Sequence, residues 1–220
     1  MVKTSLTIAL VTLSTLGWMQ ERRRPSLPLS ESSMTIELMA GGEAVVRIEA
    51  ETEEELEEVR VKRPGGESFL ELSSGNQRGL SGLMIELSET SLQSLLQNYT
   101  EGDYGIRATT VGGNLVGGSA RLSFDLPAAP QIYYPRPGAT GVTASGLNVI
   151  WLADRNAASY YVQLEQGETD LLAVNLPASR NSLRVPPGIL ARGVETRLEV
   201  AAIAPNGNRT AVETVFTTAP

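Results

Sequence analysis

The 220-residue chain has no cysteine and no histidine. Without cysteine there can be no disulfide, no thiolate nucleophile or metal site, and no lipid attached at a lipobox. Without histidine there is no Ser-His-Asp or Cys-His pair and no imidazole-based zinc or iron centre. Aromatic residues are scarce, at 5%, so the core must be mostly Val, Ile, Leu and Ala, which suits thin layers better than a deep aromatic pocket. No glycine-rich phosphate loop precedes a helix, and no βαβ alternation could hold one. Paired carboxylates remain available in principle, but few aromatics are present to build a sugar-stacking cleft. The expectation is a chain with no catalytic residues, no cofactor and no metal site. Positive charge is also short: 18 Lys and Arg against 25 Asp and Glu, a net charge of −7. Nucleic acid and anionic lipid both recruit cationic side chains, so neither is expected as a partner.

Hydrophobic content of 41% and charged content of 20% place the chain among globular proteins. Residues 1–20 read as a secretory signal: Lys3 gives a positive start, and the apolar run Leu6 to Met19 is shorter than the roughly 20 residues that span a bilayer. Arg22, Arg23 and Arg24 follow directly and oppose translocation, so an uncleaved anchor is the alternative. Residues 21–33 are polar and rich in Pro and Ser, and read as a flexible leader. Pro127 and Pro130 flank a second break, because proline cannot donate to a ladder. The chain then divides into a domain at 34–126, a linker at 127–130 and a domain at 131–220, with no membrane span in the mature protein.

The first half alternates at period two, the mark of half-buried antiparallel strands. Val46, Ile48 and Ala50 face inward between Arg47 and Glu49; Leu83, Ile85 and Leu87 repeat the pattern; Ala120, Leu122, Phe124 and Leu126 extend it at the end. Turns are expected at Arg63-Pro64-Gly65-Gly66 and Val111-Gly112-Gly113-Asn114. Thr90 and Gln93 have the spacing of a capping box for a short helix carrying Leu92, Leu95 and Leu96. Tyr104, in Gly102-Asp103-Tyr104-Gly105, enters an alternating strand after a turn and resembles the tyrosine corner of immunoglobulin-like domains. The acidic run Glu51 to Glu58 lacks the Asp/Asn/Gly spacing of a calcium loop and reads as a solvated loop or strand edge.

The second half carries an ordered set of segments. Leu147-x-Val149-x-Trp151 is followed by Ser159-Tyr160-Tyr161-Val162-Gln163-Leu164-Glu165, then Ser182-Leu183-Arg184-Val185-Pro186-Pro187. Leu190-Ala191-Arg192-Gly193 leads into Leu198-x-Val200-x-Ala202-Ile203, and Pro205-Asn206-Gly207-Asn208 turns into a last strand through Val215-Phe216-Thr217-Thr218. In this order the segments resemble a fibronectin type III domain over residues 130–220. Thr196 stands where that family usually has a core tyrosine, with Tyr160 or Tyr161 as candidates to fill its place.

The resemblance implies an all-β chain of two tandem sandwiches, immunoglobulin-like then fibronectin type III-like. It also implies partner contacts through loops at one end or through an exposed strand. Here those loops are Arg155 and Asn156, and Asn206, Gly207 and Asn208. The expected function is a non-enzymatic binding or adhesion module, secreted or periplasmic, meeting a protein or glycan at the cell envelope. The alternatives are a self-associating structural subunit of a surface assembly, and an accessory domain pair supporting an enzyme encoded elsewhere. The lack of cysteine in an exported chain fits a bacterial envelope.

Overall fold

A computed structural model describes residues 27–75 and 79–220. The signal expected at residues 1–20 and the arginines that follow lie outside the described residues.

The period-two segments form strands. The first half contains β1 (Leu27–Pro28), β2 (Glu31–Leu38), β3 (Ala44–Glu51), β4 (Leu56–Lys62), β5 (Ser68–Ser73), β6 (Leu83–Glu89), a short helix α1 (Leu92–Asn98), β7 (Gly102–Thr110) and β8 (Leu115–Leu122). The second contains β9 (Gln131–Tyr134), β10 (Asn148–Leu152), β11 (Ser159–Gln166), β12 (Thr169–Pro177), β13 (Ser182–Arg184), β14 (Glu195–Ile203) and β15 (Arg209–Thr217). In the first half, β2-β3-β6 packs on β1-β8-β7-β4-β5; in the second, β13-β10-β9 packs on β12-β11-β14-β15. Setting aside the two-residue β1, both halves therefore follow one seven-strand order: first, second and fifth in one layer, and fourth, third, sixth and seventh in the other. The chain is all-β, two sandwiches in tandem.

Each sandwich has its own filling. The first buries Ile36, Val46, Ile48, Val59, Val61, Ile106 and Leu122, with Phe124 and Leu126 against the edge of that cluster. The second buries Leu147, Val149, Trp151, Tyr160, Val162, Leu164, Leu198, Val200 and Phe216. The Trp151 and Tyr160 rings lie 5.4 Å apart. Tyr160 is buried and its hydroxyl accepts from the Asp154 amide at 2.5 Å. Tyr161 instead lies on the outer face, under Arg209. Thr196 is buried too, and its hydroxyl accepts from Gln166 Nε2 at 2.8 Å. Of the two candidate tyrosines it is therefore Tyr160 that enters the core, while Thr196 is held there by its own hydrogen bond. In the first half Tyr104 forms the expected corner, donating to the Thr100 carbonyl at 3.1 Å and accepting from its amide at 3.3 Å.

Three expectations need correcting. Helix α1 is capped by Ser91, not Thr90: the Ser91 hydroxyl accepts from the Ser94 amide at 3.1 Å. The register sits one residue later because the serine, already extended, aligns with the first free amides. Leu27–Pro28 and the start of Glu31–Leu38 are strand, inside the segment read as a flexible leader. Polar composition hid backbone pairing there: the Leu29 amide donates to Gly117 and the Ser30 amide to Glu51. Finally, β8 stops at Leu122 although the alternation runs on to Leu126. Beyond that point the Ser123 and Asp125 carbonyls accept from side chains of the second half, so the ladder has no claim on them.

The two halves also share a sheet. β15 pairs in parallel with β2, Arg209 opposite Glu37 and Thr210 opposite Leu38, giving a seven-stranded sheet β12-β11-β14-β15-β2-β3-β6. The connection is lateral, between strands, and does not run through Pro127 to Pro130.

Candidate functional site

In this strand order the second-to-third, fourth-to-fifth and sixth-to-seventh connections gather at one end of each sandwich. In the second half these include Ala153–Ala158 and Ala204–Asn208, which hold all the residues expected to contact partners. That end faces the first sandwich.

The turn at Asn206-Gly207-Asn208 is occupied by this junction. Asn208 is buried. Its Oδ1 accepts from the Ile36 amide at 2.8 Å, and its Nδ2 donates to the Ser123 and Asp125 carbonyls, each at 2.8 Å. One side-chain amide therefore acts as a strand partner for β2 and for the chain after β8. Asn206 Nδ2 donates to the same Asp125 carbonyl at 2.9 Å, and its Oδ1 accepts from the Asn208 amide at 3.0 Å. Gly207 is at φ +85°, and a Cβ there would meet Thr35 Cγ2 at 2.9 Å. Asparagine and glycine are at home in such turns because one bonds its own backbone and the other accepts positive φ.

Arg155 and Asn156 remain exposed. Their loop is braced by Asp154, whose Oδ2 accepts from the Ala128 amide at 3.0 Å and whose Oδ1 accepts from the Asn156 amide at 3.1 Å. Asn156 and Asn206 meet at an open groove between the sandwiches, with Leu92, Phe124, Leu126 and Pro205. The structure thus brings both expected loops to one place, with one forming the joint and the other its rim.

Several residues that make the joint were not singled out by sequence. Thr210 Oγ1 donates to the Pro127 carbonyl at 2.8 Å. On the outer face, a charge ladder crosses from one half to the other. Arg47 pairs with Glu86 at 2.7 Å and with Glu37 at 3.7 Å; Arg209 pairs with Glu37 at 3.1 Å and with Glu199, and lies 4.6 Å above the Tyr161 ring. Burial raises the Glu199 carboxyl above its ordinary range against the opposing pull of Arg209. Alternating polar residues on strands announce an outward face, but not that two such faces meet.

The equivalent loops of the first half, Thr52–Glu55 and Val111–Asn114, point away from the junction. Here the acidic run is a solvated connection, as expected, with Leu56 buried beneath it. Glu54 accepts from Asn114 Nδ2 at 3.1 Å, and Glu55 from the Gly79 amide at 3.2 Å. Hydrogen bonds from Thr110 and Asn114 hold the Glu54 carboxyl below its ordinary range. Val111 and Leu115 are exposed beside these carboxylates. Among the described residues, no group of three or more acidic side chains is placed to hold a metal ion, and no helix is long and apolar enough to cross a membrane.

The second half's strand order, its buried Trp151 on β10 and its β14–β15 hairpin decide the family likeness. It is a fibronectin type III-like sandwich. Neither a protein-family profile nor a curated protein matches the chain. Among solved structures, the fibronectin(III)-like modules of CbhA from Clostridium thermocellum are 8% identical, covering 87% of this chain and 93% of that one, with a TM-score of 0.38. The FN1–FN3 domains of chicken CNTN1 are 10% identical, covering 88% and 68%, at 0.39. A two-domain fibronectin type III segment of chicken tenascin is 14% identical, covering 86% and 96%, at 0.34. At such scores the fibronectin-like description of the fold stands on strand order and packing.

Proposed function

We propose that the chain is a non-enzymatic, extracytoplasmic binding or adhesion module, secreted or periplasmic, that meets a protein or glycan at the cell envelope. The observation supporting this is the division of labour between equivalent turns. In the second sandwich the Asn206–Asn208 turn is occupied in holding the halves together, while in the first the Thr52–Glu55 and Val111–Asn114 loops brace one another and take no part in the joint. The module therefore offers its distal loops, its groove rim at Arg155 and Asn156, and its open strand edges. A structural subunit of a surface assembly is the second reading, supported by the seven-stranded sheet whose two outer strands, β12 and β6, have no further neighbour among the described residues.

The chain has only Lys3 and Lys62 as lysines, so amine crosslinkers are a poor probe. A photo-crosslinking residue placed at Glu53, Asn114 or Asn156 in native cells should capture a reproducible envelope partner, and one at Asn208 should give only intramolecular products. No reproducible adduct from any loop or edge position would sink the binding reading. Turnover of a hydrolase substrate, abolished by a single carboxylate substitution, would sink the non-enzymatic part.

A further inference from the structure

The sheet edges left open among the described residues are not alike. An edge strand exposes unpaired N–H and C=O groups, and proteins guard it by shortness, proline, bulges or charge. β9 has four residues between Pro130 and Pro135, β13 has three and is followed closely by Pro186, and β1 has two. β5 carries Glu71, and β6 carries Glu86 and Glu89. β12 is guarded only at its two ends, by Asp170 beside a register shift and by Pro177, and is open from Leu171 to Leu176. It is nine residues long, and no charge occurs from Leu171 to Pro177. Its only register shift against β11 lies near Asp170, leaving Leu172 to Pro177 regular. Leu172, Val174 and Leu176 lie opposite the buried Leu164, Val162 and Tyr160, yet are themselves only partly covered.

We infer that β12 is a pairing edge for the β12 of a second copy of this chain, in antiparallel register about a two-fold axis at Val174. This deepens the reading of the chain as a contact-making module by naming the edge and the partner. Hydrogen-bonding groups along an edge call for an extended strand, and self-complementarity selects the strand. About Val174, Leu172 meets Leu176 and Val174 meets Val174, so the apolar inner rows continue across the axis. Ala173 meets Asn175 on the outer face. Asp170, the strand's one charge, falls opposite Ala178, so no like charges meet. The same operation at β6, about its central Glu86, would set the two copies of Glu86 directly opposite each other. A single strand pair covers less than the roughly 1,200–2,000 Å² of a standard interface, so a weak dimer is expected, with a dissociation constant on the order of 10–100 μM.

Sedimentation velocity on the full chain, from about 1 μM to about 500 μM, brackets that range. Wild type should shift reversibly from monomer to dimer. A173K/N175K places exposed lysines around the axis and should weaken the dimer by about tenfold or more; M84K, on the exposed face of β6, should leave it unchanged. The cysteine-free background supplies a second measurement that does not depend on affinity: V174C should oxidise to a covalent dimer and M84C should not. A chain that stays monomeric throughout, association insensitive to A173K/N175K, or equal crosslinking at both positions overturns the inference. So does capture of another protein's strand on β12 by a chain that does not dimerise. Loss of the dimer with envelope crosslinks intact counts against this edge alone, whereas a dimer without any envelope partner counts against the binding module.

Discussion

The sharpest perturbation of the joint is Asn208→Ala. The side chain bridges three backbone groups, and the cost of removing it follows from what each is left with. The Ile36 amide lies in a fully buried residue and has Asn208 Oδ1 as its acceptor at 2.8 Å; stranding it costs about 1–3 kcal/mol. The Ser123 carbonyl is partly buried and regains water, so its loss is about 1 kcal/mol or less. The Asp125 carbonyl keeps the Asn206 amide and loses little. The sum is roughly 1–4 kcal/mol, the upper end of which is large for one neutral side chain in a turn. Urea unfolding followed by tryptophan fluorescence reads it directly, since Trp151 is buried in the second core. Asn208→Asp adds a sign. It keeps the acceptor for Ile36 but sets carboxylate against two carbonyls, so its folded-state pKa is raised. The protonated acid can donate again, and the variant should regain stability as pH falls through that raised value. A loss below about 0.5 kcal/mol for Asn208→Ala, or an Asn208→Asp variant that weakens further in acid, would refute the view that this amide holds the halves together.

Gly207→Ala should cost about 1–2 kcal/mol for its positive φ, plus a contact penalty from Thr35; Gly113→Ala, at φ +78° with open space around it, isolates the backbone part in the same urea assay. Tyr104→Phe removes both bonds to Thr100 while keeping the ring, and should lower stability by about 1–1.5 kcal/mol; a neutral result would reduce the corner to packing alone. Because burial raises Glu199, the folded chain takes up this proton before the unfolded one does, so the group's cost to folding is present above its folded pKa and is relieved as pH falls through that value towards the ordinary carboxylate range. An NMR titration placing Glu199 below the ordinary carboxylate range would overturn that sign.

What could be read in advance was whatever is written locally. Val46, Ile48 and Ala50 announce a strand because side chains alternate across a pleated ribbon, and all three are buried. Tyr104 was legible because a corner needs a phenol a fixed few residues from the backbone it binds. The joint was not legible. Asn206-Gly207-Asn208 makes the same turn whether it faces water or another sandwich, and its partner Ile36 lies 172 positions away. The ladder from Glu86 through Arg47, Glu37 and Arg209 to Glu199 likewise reads, strand by strand, as ordinary surface. Nor does alternation distinguish a strand from an irregular stretch whose carbonyls are already taken, as Phe124 and Leu126 show.

Two parallel register pairs between β15 and β2 are a thin connection by themselves. The side chains around them make it more than a point of contact. Asn208 supplies on one side the hydrogen bonds that a longer strand would have made, and Thr210 fastens the linker at Pro127. On the outer face, Arg209 binds a carboxylate from each half, Glu37 and Glu199. The neutral bonds are buried or partly buried, while the charged ladder is partly exposed and screened by salt. High salt should therefore weaken the ladder and leave the amide bridge standing. A joint made in these two ways holds the distal acidic loops at a set distance from the β12 edge, and that spacing is what a tandem pair adds over either sandwich alone.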